Sequence, residues 1–105
     1  MLCLDAKCMV ISCRELGEGG VNSAGLSVRQ VVETALREGA SSVVLAHNHP
    51  SGIALPSPED IQATHRVAMA LQTVEISLVD HLVMAGSDYV SMKQSGYHFD
   101  APALI

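Results

Sequence analysis

The chain of 105 residues contains no tryptophan, one phenylalanine and two tyrosines. A core of large aromatic rings is therefore excluded, and Val, Leu, Ile, Ala and Met must fill the interior. Basic residues are scarce too. Lys7, Arg14, Arg29, Arg37, Arg66 and Lys93 are scattered, and the formal net charge is -5. That balance argues against a dedicated nucleic-acid surface, which would show clustered Lys and Arg. Cys3, Cys8 and Cys13 are odd in number, five apart and without a Cys-x-x-Cys pair. The pattern speaks against a disulfide framework or sulfur-ligated zinc and for buried, reduced thiols of a cytoplasmic protein. No apolar run approaches membrane-spanning length and no secretory signal pattern is present, so no membrane partner is expected. The length suits one domain with a modest core.

Short apolar runs at Met1–Leu4 and Cys8–Leu16, separated by Asp5-Ala6-Lys7, read as a hairpin ended by the Gly17–Gly20 cluster. Ser27 precedes Val28, Val31, Val32, Ala35 and Leu36, the spacing of an amphipathic helix that stops at Gly39. Ser42–Ala46 is a short buried strand. Ser57 then caps a second helix with Pro58 at its first position and Asp60 at its third, as the carboxylate of a capping box. Ile61, Met69 and Leu71 supply that helix's apolar content. Glu75–Met84 and Tyr89–Met92 read as two strands around Gly86-Ser87-Asp88. This order of elements predicts an α/β sandwich around one mixed sheet.

The chemistry concentrates in one stretch. His47 and His49, two residues apart at the end of an apolar run, point to the same side of an extended backbone. Asp60, eleven residues after His49, brings a carboxylate from the next helix start. Two imidazoles and a carboxylate with one position open form the ligand set of a catalytic zinc. Each has an ordinary alternative: His47 as a hydrogen-bonded strand-end residue, His49 as a loop anchor, Asp60 as a capping carboxylate. Asp60 is not expected to cap strongly and ligate at once, so Ser57 should carry the cap. His65 lies about 140° around the helix from Asp60 and should face elsewhere. His81, after Asp80 in a strand, could lie near the site, but a packing or hydrogen-bonding role is favoured, and His98 is expected to face solvent.

His-x-His, seven residues, Ser, two residues, Asp resembles the JAMM motif of the MPN+ (JAB/Mov34) metalloproteases, here His47, His49, Ser57 and Asp60. Leu45–Gly52, Pro56-Ser57, Asp80-His81-Leu82-Val83, Tyr89-Val90-Ser91 and the stretch Gly19–Val32 resemble the RadC branch. The resemblance implies a single-domain α/β/α sandwich around one mixed sheet, an architecture similar to that of the cytidine deaminases. It further implies that residues 1–105 are the C-terminal part of a longer protein, since full RadC-like proteins carry an N-terminal helix-hairpin-helix region. Asn48 stands where the superfamily's proteases have Ser or Thr, and Asn is what RadC-like members show. The family pattern also includes an upstream glutamate. Glu15, in the strand before the glycines, matches its placement better than Glu18, which sits among them.

The implied activity is zinc-dependent hydrolysis of a peptide or isopeptide bond. His47, His49 and Asp60 would hold Zn2+, Glu15 would be the general base, and Ser57 would stabilise the oxyanion. A peptide or protein would be the substrate, and a homodimer is compatible with this reading. The rival is a non-enzymatic metal-binding module acting with DNA-repair machinery. Zinc-dependent deamination is disfavoured, because the Cys-x-x-Cys and His-x-Glu of those sites are missing.

Overall fold

In a computed structural model, which describes residues 1–16, 27–49 and 51–99, the chain pairs its first two strands as a hairpin, β1 (Leu2–Leu4) with β2 (Val10–Cys13). Asp5 builds the turn by accepting hydrogen bonds at Oδ1 from the N–H groups of Lys7 and Met9. Helix α1 (Val28–Arg37) follows, then β3 (Ser42–Asn48), α2 (Pro58–Thr73), β4 (Ser77–Ala85) and β5 (Asp88–Ser91). The sheet runs β2-β1-β3-β4-β5, with β3 and β4 parallel and the other neighbours antiparallel. This is the expected α/β fold around one mixed sheet.

The capping expected of α1 holds. Ser27 Oγ accepts from Gln30 N–H at the start of α1, and Gly39 ends it at φ +70°, a conformation open to glycine. The core is aliphatic, as the missing aromatics require. Val31 and Ala35 of α1 join Val67, Ala68 and Leu71 of α2 in one cluster with Cys3, Val43, Leu45, Leu78, Val83 and Met92. Both helices therefore cover the same face of the sheet and touch each other. A second helical layer is not formed by the described residues.

Two apolar assignments shift outward. Leu36 at the end of α1 and Met69 on α2 are exposed, and Thr34 and Thr64 take buried places on those helices instead. The cysteines need correction as well. Cys3 is buried in β1, but Cys8 sits exposed in the hairpin turn at φ +60° and Cys13 is exposed on β2. Unpaired cysteines had suggested burial, but β2 is an edge strand with Met9, Val10 and Ile11 open to solvent.

Two features of the sheet position the site. The parallel β3-α2-β4 unit directs the C-terminal ends of β3 and β4 and the N-terminus of α2 toward one end, where α/β folds place their ligands. The β3–β4 ladder also slips by one residue. Val43 is opposite Leu78 but Val44 is opposite Asp80, so that Leu78, His81 and Val83 are all buried.

Candidate metal centre

His47 occupies the penultimate position of β3, on the core face shared with Val43 and Leu45. His49 follows the strand's last residue but stays in line, because its N–H donates to the Met84 carbonyl of β4 at 2.7 Å. Asn48 between them is exposed. The two imidazoles meet edge to face, ring centroids 4.8 Å apart.

Asp60 reaches both rings from the first turn of α2. Its Oδ2 lies 2.8 Å from His49 Nε2 and its Oδ1 lies 3.5 Å from His47 Nε2. One ligand atom from each of the three residues can be chosen so that all lie within 4.8 Å of one another. The capping box expected of Ser57 and Asp60 is complete, and the expectation that Asp60 would not both cap strongly and face the imidazoles is corrected here. Ser57 Oγ accepts from Asp60 N–H at 3.1 Å, and Asp60 Oδ2 accepts from Ser57 N–H at 2.8 Å, a complete capping box. A carboxylate has about four lone-pair sites, so the cap does not exhaust it.

The hydrogen bonds around these atoms show that the donor set fits a cation. The Ile53 carbonyl, 3.1 Å from His49 Nδ1, can only accept, so Nδ1 carries the proton and Nε2 is left facing the carboxylate. His47 Nε2 is enclosed and makes no hydrogen bond. Two imidazole nitrogens and a carboxylate oxygen thus converge on one point. Arms of about 2.0–2.2 Å at tetrahedral angles would set such atoms roughly 3.4 Å apart. The contacts of 2.8 and 3.5 Å straddle that spacing.

Electrostatics agree with a neutral His47 ring beside an ionised Asp60. Burial, with the neighbouring His49, lowers the pKa of His47 and outweighs the attraction of Asp60. Burial pushes the Asp60 carboxyl up, but the hydrogen bond from Ser57 N–H and the two adjacent imidazoles outweigh it, and the net pKa is below the ordinary value. Neutral imidazole and carboxylate are the forms that ligate metals.

Two residues that sequence reasoning did not assign to the site stand behind it. His81 of β4 is 2% exposed, with its Nε2 2.9 Å from His47 Nδ1. Burial and the adjacent His47 push its pKa down to about 4. Thr64 of α2 is fully buried, its Oγ1 2.7 Å from His81 Nδ1. The expected hydrogen-bonding role of His81 is therefore directed at the site itself. A signal existed in each case: a histidine inside an apolar strand run, and a threonine one helical turn after Asp60 on the same face.

The remaining candidates are placed differently. His65 is exposed against the edge of Phe99, and His98 is exposed, as expected. Glu15 is exposed just beyond the end of β2. Cys13 and Val44 are both opposite Leu2, so β2 and β3 end at the same end of the sheet. β1 lies between them, however, and two interstrand spacings separate their axes by roughly 10 Å. The structure thus brings His47, His49, Ser57 and Asp60 together and leaves Glu15 at the periphery. Glu18 lies outside the described residues.

No described helix is long and apolar enough to cross a membrane. The RadC-like JAB domain family matches residues 1–97. A UPF0758 protein of Shewanella pealeana is 43% identical over 97 residues, 92% of this chain and 43% of that protein. One from Bordetella parapertussis is 41% identical over 96 residues, covering 91% and 43%, and one from Clostridium novyi is 40% identical over 94, covering 90% and 41%. The chain thus spans less than half the length of these curated relatives. The fold, the convergent His-His-Asp group and these matches agree that the chain belongs to the RadC-like JAB domain family.

Proposed function

We propose that the domain is a zinc-dependent hydrolase that cleaves peptide or isopeptide bonds. The observation carrying this reading is the convergence of His47 Nε2, His49 Nε2 and the Asp60 carboxylate. The Ile53 carbonyl already holds the second nitrogen of His49. Imidazole and carboxylate donors suit zinc. When bound, the ion supplies Lewis acidity and a hydrolytic water that ionises near neutral pH.

The chain's own residues supply the rest. His47, His49 and Asp60 hold the ion. Glu15 takes the proton of the attacking water on its carboxylate and returns it to the leaving amine. Ser57 Oγ accepts from Asp60 N–H, which leaves its O–H to donate to the oxygen of the attacked carbonyl as charge develops there. Glu15 must approach the ligands for this role, and its place at an exposed strand end allows that.

One observation favours the non-enzymatic alternative, a metal-binding module acting with DNA-repair machinery. Glu15 has no described contact with the ligands. Elemental analysis of the purified protein, combined with a peptide-library cleavage assay on wild type and Glu15→Gln, separates the readings. Hydrolysis should require zinc and disappear in the variant while zinc remains. Bound zinc with no cleavage of any library would support the module, and absence of zinc would reject both.

A further inference from the structure

An unbranched run of polar contacts lies behind His47. Nδ1 of His47 is 2.9 Å from His81 Nε2, and His81 Nδ1 is 2.7 Å from Thr64 Oγ1. Thr64 Oγ1 is 2.6 Å from the main-chain carbonyl oxygen of Asp60. The Met92 sulfur, 3.9 Å from the same hydroxyl, is a weak acceptor and does not compete.

The far end dictates where every proton sits. A carbonyl oxygen carries no hydrogen, so the Thr64 hydroxyl must donate to it. With its single proton committed, Thr64 Oγ1 can only accept from His81, whose proton is therefore on Nδ1. His81 is 2% exposed and has no carboxylate against its ring, so it is neutral and has one N–H. Its Nε2 is then a lone pair and accepts from His47 Nδ1–H. His47 is thereby left with a lone pair on Nε2, the enclosed atom without a hydrogen bond that faces Asp60.

We propose that Thr64 and His81 are positioning residues that set the tautomer of His47 and hold its Nε2 ready as a metal ligand before any ion arrives. This rests on the reading of His47, His49 and Asp60 as a metal site. The arrangement closes on itself. The main-chain carbonyl of Asp60 governs the tautomer of His47, and the side chain of Asp60 faces the nitrogen so exposed. Ligating histidines commonly donate to a carboxylate, a main-chain carbonyl or water. Here the acceptor is a neutral imidazole, which orients the ring without adding negative charge behind it.

The test reads the tautomer and the metal separately. In metal-free protein labelled with 15N-histidine, long-range 1H–15N spectra should show His47 protonated on Nδ1 and bare on Nε2. Thr64→Val keeps the shape but removes the hydroxyl. It should release the His47 tautomer and weaken zinc binding, by chelator competition, about 10- to 100-fold. Thr64→Ser should restore both, and thermal melts identify any loss that comes from unfolding. An Nε2–H tautomer of His47 in the wild type overturns the proposal. So does a folded Thr64→Val protein with wild-type spectra and affinity. A wild type that binds no zinc would instead overturn the metal site, and the spectra of the metal-free protein would still decide the tautomer.

Discussion

The two ends of the sheet order are held very differently. β3, β4 and α2, which carry the candidate ligands and the residues behind them, also carry buried Val43, Val83, Val67 and Thr64, and Asp60 is locked by a capping box. At β2 an edge strand exposes Met9, Val10 and Ile11, and Glu15 follows it into solvent. The candidate ligands are thus held in place by the fold itself, while the candidate base follows an exposed strand. Metal binding should tolerate little change on its side. Catalysis should depend on what positions Glu15, and the longer relatives have more than half their length outside the matched region.

Substitutions at the two ends test this contrast. Asp60→Ala removes a ligand and half of the capping box together. Zinc content should fall to background, and urea denaturation should show a loss of about 2–3 kcal/mol. Asp60→Asn, which keeps an acceptor for Ser57 N–H, should recover most of the stability but not the zinc. Glu15→Gln should do the reverse, reducing hydrolysis at least about 100-fold. Its zinc content should be unchanged and its stability should stay within about 0.5 kcal/mol of wild type. Wild-type hydrolysis in this variant would remove Glu15 from the mechanism.

A pH titration probes the held side alone. The pKa of His81 falls from 6.5 in its unperturbed state to about 4 in the fold. Below pH 6.5 the unfolded chain takes up a proton that the folded chain refuses. Stability of the metal-free protein should therefore decline as pH falls from about 6.5 to 4, by at most roughly 3 kcal/mol. His81→Gln should flatten that stretch of the profile, and an unchanged profile would show that His81 is not held neutral. The smallest effect belongs to the edge. Val10→Lys should alter stability by less than about 0.5 kcal/mol, yet reduce any self-association seen by light scattering.

Much of this was readable in the residues because it is local. His47 and His49 share a face through strand alternation alone, and Ser57-Pro58-Glu59-Asp60 announces a helix start. The element order βαβ with a flanking hairpin also leads to one mixed sheet. What was not readable depends on partners far along the chain. His81 reaches His47 through a pairing 34 residues away. The double duty of Asp60 depends on where β3 ends relative to α2. Cys8, Cys13, Leu36 and Met69 looked interior by type but fall on an edge, a turn or the outer side of a helix.

The slipped β3–β4 ladder decides more than the course of a strand. Had the pairing continued evenly past Leu78, Val79 would stand opposite Val44 and Asp80 opposite Leu45. The carboxylate would then face His47 and His81 would turn away. Asp80 instead accepts from Ser91 and from the Lys93 N–H, fastening β5. Consecutive positions of one strand thus offer an anionic and a neutral companion for the same ring, and one extra residue selects the neutral one. A carboxylate there would make the imidazole a stronger electron donor and a bound ion less acidic. On the proposed metal-site reading, backbone register would therefore tune reactivity, adjustable by a single insertion or deletion without touching His47, His49 or Asp60.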